Sequence, residues 1–517
     1  MPLDALGPSV ASKAVRGRPV WQTVLLLCLG QVLLWSLASG LTYKAPEIDS
    51  AEQFIWSFSL ENGYWKHPPV PSWLMHGLLQ VFGPSVVLPF VAAQASTVLA
   101  LFLTWRLGCE FMSQRRALVA VALTSLVTYH NLGADNFNHN TALLPFQAAM
   151  LLTFYLATRR RSLYLWALAG LYAGLSMMVK YVALMPIAGL LLYLALDRAM
   201  HHRLTLQGLA LAALVCVAVL VPHAVWLQTT NFLPFRYAHS VTQPLQGWAP
   251  QLASLGAFAG IQLARVWPLV LGVFYLRRLC RRSPEALQTV LALNPSDRLF
   301  LWVAACAPLV LTVVYCVATQ TELVSRWGAN AFLLTGLLAM AVLRTPTSRA
   351  IERSILRVVI AAHIVLCLTL VLGKTVVAEH FHWRTRANFP GGLLASNAMD
   401  EWRKNTSVPL RIVVSDIWLG GNIVAHSSSS QRVAVLIDGH YFKSPWVNAE
   451  AIRTCGAMVL DDQTRGATGS SANSPELNRL MAQASVTGAW NMPWAVSQAQ
   501  ATESGTGVVR WGIILPS

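Results

Sequence analysis

Long apolar runs recur through the first 373 residues of this 517-residue chain, and they constrain its fold more than any other feature. A helix needs about 20 apolar residues to cross the roughly 30 Å hydrocarbon core of a lipid bilayer. Eleven runs reach or approach that length, at 20–41, 84–105, 117–130, 141–157, 163–179, 181–196, 207–227, 253–276, 299–318, 328–343 and 356–373. The sequence therefore predicts an all-α polytopic membrane bundle of about eleven transmembrane helices.

The composition excludes a soluble fold. Hydrophobic residues make up 55% of the chain and charged residues only 12%, whereas soluble domains are about 25% charged. Too few charged side chains are present to cover the surface of a soluble globule. The same composition excludes a disordered or collagen-like chain.

The distribution of basic residues argues against a nucleic-acid partner, although the net charge is +16. With a cytoplasmic N-terminus, twenty Lys and Arg residues of the first 373 fall on the cytoplasmic side. Only six fall in the opposite loops or inside the runs: Lys44, Lys66, Lys180, Arg236, Arg265 and Arg326. This asymmetry follows the positive-inside rule. The first run is long for a cleaved signal peptide, so we interpret it as a retained helix.

The composition changes after residue 373. Strand-like and helix-like runs alternate from there to the C-terminus, the former at 411–415, 433–437, 457–460 and 508–515, the latter at 393–403, 448–454 and 475–484. Such alternation is typical of a small α/β domain. We therefore divide the chain into a transmembrane domain, 1–373, and an α/β domain, 374–517. An odd number of crossings predicts that the second domain is extracytoplasmic.

The first outer loop, residues 42–83, concentrates acidic side chains. It holds four of the twelve acidic residues of the first 373, namely Glu47, Asp49, Glu52 and Glu61. Residues 50–60 have the amphipathic pattern of a helix that lies in the membrane interface. Asp49 immediately precedes that helix, where it either caps the helix N-terminus or acts as a general base above the membrane surface.

Other polar residues are predicted on the same side of the membrane, among them Asp135, His139, Arg236 and Arg326. Lys180, between two apolar runs, either belongs to a functional site or reaches out to the interface. Lys and Arg can stabilise an anionic lipid-phosphate leaving group, and a carboxylate can accept the proton of an attacking sugar hydroxyl. The same composition would also suit a transporter with a midplane site.

The first outer loop resembles a known family. It runs from Asp49-Ser50-Ala51-Glu52 to Gly63-Tyr64-Trp65-Lys66-His67-Pro68-Pro69. This stretch resembles the first periplasmic loop of the multi-spanning C-type glycosyltransferases, in the branch of the protein O-mannosyltransferases, the lipid A aminoarabinose transferase and the lipopolysaccharide-core galacturonosyltransferases. Asn138-His139-Asn140-Thr141, Lys180-Tyr181 and Arg326-Trp327 resemble later family stretches in the same order.

The resemblance implies a GT-C-like fold in the bacterial inner membrane, with a periplasmic active site and a periplasmic α/β domain. It implies transfer of a sugar, with inversion, from an undecaprenyl-phosphate donor to lipid A, lipopolysaccharide, another envelope glycan or a protein, without a metal or other cofactor. By position Asp49 matches the family's general base. We predict that the donor phosphate ligands are Lys66, His67, Lys180, Arg236 and Arg326, and that the substrate contacts are Glu47, Glu52, Tyr64, Asp135 and His139.

One departure from the family pattern leaves other interpretations open. Ser50 replaces the usual Glu of an Asp-Glu pair, which makes Glu47 or Glu52 a candidate stand-in and admits an inactive homologue acting as a scaffold. A secondary transporter or lipid-linked sugar flippase is the alternative from another class. It predicts internal repeats, whereas the polar residues here gather at one face and no repeat is visible by eye.

Overall fold

The computed structural model describes residues 19–242, 244–282, 293–343, 347–428, 431–464, 474–494 and 506–517. Helices dominate these ranges up to residue 380. They are α1 (Val20–Thr42), α2 (Ile48–Trp56), α3 (Val70–Phe82), α4 (Leu88–Phe111), α5 (Gln114–Thr124), α6 (His139–Arg160), α7 (Leu163–Val179), α8 (Leu184–Leu196), α9 (Arg203–Thr229), α10 (Leu233–Val241), α11 (Trp248–Arg281), α12 (Pro295–Ala318), α13 (Thr335–Leu343), α14 (Arg349–Leu372) and α15 (Ala378–His380).

Each of the eleven predicted apolar runs overlaps one of these helices. In the described part of the chain, seven helices are long and apolar enough to cross a membrane: α1, α4, α6, α9, α11, α12 and α14. Helix α5 and the 3₁₀ turns after it, bent by 90°, would make an eighth span. Helices α7, α8 and α13 are shorter, with 17, 13 and 9 residues. The prediction of a polytopic α-helical membrane bundle is confirmed.

Small residues let α7 and α9 approach closely. A Cβ atom on Gly170 would lie 2.2 Å from the carbonyl oxygen of Ala212, and one on Gly174 would lie 2.8 Å from the Cβ of Val219. Lipid tails are as apolar as leucine side chains, so helices in a membrane gain little from apolar burial alone and depend on close van der Waals packing. The glycines of α7 supply that packing.

A five-stranded sheet lies near the C-terminus, where the alternating pattern predicts a small α/β domain, and one strand, Val486–Pro493, is not among the four predicted runs. Its strands are β1 (Ile412–Ser415), β2 (Ala434–Ile437), β3 (Ala457–Asp462), β4 (Val486–Pro493) and β5 (Thr506–Ile514), accompanied by α16 (Gly391–Asn405), α17 (Ile417–Ala425), α18 (Ala449–Cys455) and α19 (Pro475–Met481). The strand order is β2-β1-β3-β5-β4, with β1 parallel to β2 and β3, and with β5 antiparallel to β3 and β4. The small α/β unit is confirmed.

Helix α17 of this unit rests directly on α2 of the first loop. A Cβ atom on Gly421 would lie 2.4 Å from the Cβ of Ala51, so only glycine permits this approach. All residues of α2 from Ser50 to Trp56 are buried. The predicted interfacial helix over 50–60 is therefore shorter than expected and is covered by the C-terminal unit.

The start of α2 also differs from the prediction. Asp49 is the second residue of the helix, the N-cap position is Glu47, and no side-chain hydrogen bond caps this end. The capping role considered for Asp49 is therefore excluded, and its carboxylate is directed to other partners.

Candidate active site

Asp49 holds three donors on a single oxygen of its carboxylate. Oδ2 accepts hydrogen bonds from Nδ2 of Asn138 at 3.1 Å and from Nδ2 of Asn136 at 3.3 Å, and Nη1 of Arg326 lies 3.5 Å away. Oδ1 has no hydrogen-bond partner among the residues that the structure describes, and the side chain is 27% exposed. A carboxylate fixed at one oxygen and open at the other can accept a proton from a bound hydroxyl without rearrangement.

The N-terminus of α6 positions the two asparagines. Asn138 is its N-cap: Oδ1 accepts from the backbone N–H groups of Asn140 at 2.8 Å and Thr141 at 3.2 Å. The Thr141 hydroxyl in turn accepts from the backbone N–H of Asn138, which completes a capping box. Because the cap occupies Oδ1 of Asn138, its Nδ2 faces Asp49. The hydroxyl of Ser50 donates to Oδ1 of Asn136 at 2.7 Å.

Lys180 and Arg326 are the cations best placed to meet an anionic ligand. The Arg326 side chain is 64% exposed. Lys180 follows the last residue of α7, and its Nζ donates to Oδ1 of Asn140 at 2.5 Å. Burial lowers the pKa of Lys180 to about 8, with Asp49 opposing the shift and Arg326 adding to it. The amine therefore stays mainly protonated at neutral pH.

Glu52 and Lys66 pair with each other. Lys66 Nζ lies 2.7 Å from Oε1 of Glu52, and the two side chains are 17% and 6% exposed respectively. The same amine lies 4.6 Å from the ring centroid of Trp65 and 5.4 Å from that of Tyr237. Burial alone would lower the pKa of Lys66, but the Glu52 carboxylate outweighs it and raises that pKa above its ordinary value. The pair is buried, and because burial raises the pKa of Glu52 against the opposing charge of Lys66, the carboxylate depends on this ammonium group for its ionised form.

The rings of His67 and His139 lie close together at a tilt, beside this pair. Their ring centroids are 4.0 Å apart, and each lies about 6 Å from the ring of Trp56. Burial holds the pKa of His67 well below its ordinary value, and His139, Lys180 and Lys66 add to the shift. A neutral imidazole can donate a hydrogen bond to a phosphate but brings no charge. Neutralisation of a phosphate would therefore depend on cationic side chains such as Lys180 and Arg326.

Glu47 and Asp135 form a separate cluster around Tyr43. The Tyr43 hydroxyl donates to Oδ2 of Asp135 at 2.6 Å. Glu47 pairs with Arg386 at 3.5 Å and Lys374 at 4.0 Å. These contacts connect the first loop to the segment that follows α14, and none of them involves Asp49.

Tyr64 and Arg236 are not among the described residues that contact the Asp49 carboxylate. The ring of Tyr64 stacks on Trp56 with centroids 4.9 Å apart, and its hydroxyl donates to the backbone carbonyl of Ser59 at 2.7 Å. Arg236 is exposed on α10. Tyr64 thus stabilises the fold of the loop, while Arg236 makes no ion pair with any described residue.

We expect Asp135→Asn to stabilise the protein at pH 8 and to change its stability little at pH 4. Burial, then Glu47, raises the pKa of Asp135 from 3.8 to about 6, against the hydrogen bond from Tyr43 and the charge of Lys374. The folded protein therefore binds this proton more tightly than the unfolded chain, and ionisation destabilises it as the pH rises through that range. Asparagine removes a cost of about 1–3 kcal/mol.

Thermal midpoints of the purified full-length protein at the two pH values measure this effect. Asp400→Asn is the matched control, because the Asp400 side chain is 64% exposed. A gain in the midpoint of Asp135→Asn that is equal at pH 4 and pH 8 would show that the carboxyl group is not held protonated by the fold.

The structure gives roles to three asparagines that the sequence did not place in the candidate site, Asn136, Asn138 and Asn140. They orient Asp49 and Lys180, and they lie just before α6 and in its first turn. Asn138 and Asn140 belong to a stretch that resembles the family, but the sequence assigns them no role. Within the described ranges, no three His, Cys, Asp or Glu side chains lie close enough to hold a metal ion.

Comparison with known proteins confirms the resemblance. Residues 66–226 match the family model described as dolichyl-phosphate-mannose-protein mannosyltransferase. The lipopolysaccharide core galacturonosyltransferase RgtA of Rhizobium johnstonii is 26% identical over 453 residues, which cover 83% of this chain and 84% of RgtA. The lipid A galacturonosyltransferase RgtD of the same organism is 25% identical over 337 residues, covering 62% of this chain and 65% of RgtD.

The fold is similar to that of a solved structure. ArnT from Cupriavidus metallidurans, bound to undecaprenyl phosphate, superimposes with a TM-score of 0.59 over 95% of this chain and 98% of ArnT, at 12% identity. Its apo state gives a TM-score of 0.60 with the same coverage. The likeness extends through both the helical bundle and the C-terminal sheet.

Proposed function

Because the chain is similar to C-type glycosyltransferases in sequence and in fold, we propose that it transfers a sugar from an undecaprenyl-phosphate donor to a glycolipid or another glycan of the cell envelope. Asp49 is the general base. The observation that carries this role is the carboxylate with three donors on Oδ2 and an open Oδ1. The similarity to enzymes named for lipid A and lipopolysaccharide core supports a lipopolysaccharide component as the acceptor.

The proposed step is a single displacement. The acceptor hydroxyl oxygen bonds to the anomeric carbon of the donor sugar while the bond from that carbon to the phosphate oxygen breaks. The hydroxyl proton passes to Oδ1 of Asp49, and undecaprenyl phosphate leaves with the bonding electron pair. Because the nucleophile enters opposite the leaving group, the anomeric configuration inverts. Proton transfer to a positioned base contributes about 10²–10⁴ in rate.

Lys180 and Arg326 neutralise the departing phosphate in this proposal. Charged donors in a partly buried site stabilise developing negative charge more strongly than they would in water. Arg326 is mostly exposed and only 3.5 Å from Asp49, so it can turn to a phosphate at little cost. Lys180 is held by Asn140 and charged at neutral pH. His67 donates a hydrogen bond to the phosphate. Lys66 stays paired with Glu52 and contributes only indirectly.

We also propose that the site faces the periplasm, with the N-terminus in the cytoplasm of an inner-membrane protein. The asymmetry of basic residues supports this orientation. So does the meeting of residues from four predicted outer loops: Asp49, Asn138, Lys180 and Arg326 approach one another at one end of the helices. The α/β unit, 374–517, then lies on the periplasmic side and covers α2.

A transfer assay in membranes that lack the protein tests this function. Radiolabelled undecaprenyl-phosphate sugars, beginning with galacturonic acid, are supplied with and without the expressed chain, and label is followed into lipopolysaccharide. We expect label in the acceptor only when the chain is present, and none from a nucleotide sugar. Movement of the labelled donor between leaflets without any transfer would contradict the enzyme and favour a flippase.

A further inference from the structure

Ser50 occupies a buried position between Asp49 and the N-terminal segment of α6. Its side chain has no exposed surface. Its Oγ accepts a hydrogen bond from the backbone N–H of Phe137 at 3.1 Å and donates to Oδ1 of Asn136 at 2.7 Å. The carbonyl oxygen of Phe137, at 3.4 Å, is a more distant acceptor. The hydroxyl hydrogen is therefore directed to Asn136.

This hydrogen bond determines which way the amide of Asn136 faces. An amide can exchange the places of its oxygen and nitrogen by a half-turn, and the surrounding donors and acceptors select one orientation. Since Ser50 donates to Oδ1, Nδ2 faces Asp49 and donates to its Oδ2 at 3.3 Å. A directed chain of hydrogen bonds thus runs from the Phe137 N–H through Ser50 and Asn136 to the Asp49 carboxylate.

We propose that Ser50 is a positioning residue for the general base, acting through Asn136; this inference rests on the proposed function. This chain of hydrogen bonds and Asn138 together hold Oδ2 of Asp49 and leave Oδ1 directed to the acceptor hydroxyl. The serine at this position is then a working replacement for the family's usual carboxylate. An ionised carboxylate has no proton to donate and could not orient the amide of Asn136 in this way.

The position excludes a direct role in binding substrate. Ser50 lies one residue after Asp49 but is fully buried, whereas Asp49 is partly exposed. Its hydroxyl already has a donor and an acceptor within the protein. Its loss should therefore change the rate of the chemical step and leave substrate binding nearly unchanged.

The test is a double-mutant cycle on the purified full-length enzyme, with kcat and KM measured for donor and acceptor. Ser50→Ala should lower kcat about 10- to 100-fold, since small misplacements of a reacting group cost up to about 100-fold, with KM within about twofold. Asn136→Ala should give a similar loss. The double variant should be no slower than Asn136→Ala alone, because residues that act through one another are not additive.

Ser57→Ala is the matched control, because Ser57 is a buried serine at the end of the same helix whose hydroxyl donates to the Phe54 carbonyl at 2.7 Å. Its activity should match the wild type. Additive losses in the double variant would overturn the role through Asn136, as would a Ser50→Ala enzyme with wild-type kcat. A wild-type protein that transfers no sugar would instead overturn the proposed function, and this inference with it.

Discussion

Asp49→Asn is expected to lower the rate of transfer by about 10²–10⁴-fold, the usual contribution of a positioned general base, while the protein stays folded. Asparagine has nearly the shape of aspartate. Its carbonyl oxygen can take the place of Oδ2 and accept from Asn136, Asn138 and Arg326, which now meet Asp49 at 3.1–3.5 Å. The amide NH₂ then replaces Oδ1, and it cannot accept a proton from the acceptor.

The measurement is transfer of labelled sugar by wild type and variant at matched expression, with thermal midpoints as the check on folding. Glu61→Gln is the control: Glu61 belongs to the same loop, and its carboxylate accepts a hydrogen bond from the hydroxyl of Ser59, two residues earlier, at 2.6 Å. Equal activity of Asp49→Asn and wild type would leave the glycosyltransferase intact and show that another group removes the proton.

The membrane bundle could be predicted because its physical requirement is simple. Each span must be apolar, and the eleven apolar runs all contain helices. The length of an apolar run is a weaker criterion for α7, α8 and α13, because these helices are shorter than a full membrane span. Their packing depends on close contacts such as that of Gly170 with Ala212, which no composition window can detect.

The C-terminal unit shows where pattern reasoning fails. Strands β1, β2 and β3 are buried along their whole length and coincide with the strand-like runs predicted at 411–415, 433–437 and 457–460. Strand β4 alternates between half-buried and exposed residues and contains Gly488 and Pro493, which are unfavourable in strands. Helix α17 is not among the predicted helix-like runs and contains Gly420 and Gly421, which are unfavourable in helices, whereas its Asp416 cap and its contact with Ala51 stabilise it.

At the site, the sequence could identify charges but not their pairing. Asp49, Lys180 and Arg326 were recognisable because ionisable residues are rare in such a chain. The asparagines that hold them carry no charge and are ordinary in loops. The role of Lys66 also depends on a partner that spacing cannot reveal, since Glu52 lies fourteen positions earlier, in a separate element.

Lys66→Met is expected to destabilise the protein by about 3–5 kcal/mol, the usual effect of leaving one member of a buried ion pair without its partner. The Glu52 side chain is only 6% exposed, so water cannot replace the ammonium group. Lys44→Met is the control, since Lys44 is an exposed lysine at the start of the same loop. Thermal midpoints of the purified proteins give the comparison, and an unchanged midpoint for Lys66→Met would contradict a buried pair.

The double variant Lys66→Met with Glu52→Leu separates two roles of Lys66, neutralising Glu52 and binding the donor phosphate. Replacing both charges with apolar groups is often neutral or stabilising, so we expect the midpoint to recover. Lys66 Nζ is already engaged by Glu52 and by the faces of Trp65 and Tyr237, while Lys180 and Arg326 remain to meet the phosphate. Transfer should therefore recover with stability. A double variant that is stable but inactive would show instead that Lys66 binds the donor phosphate directly.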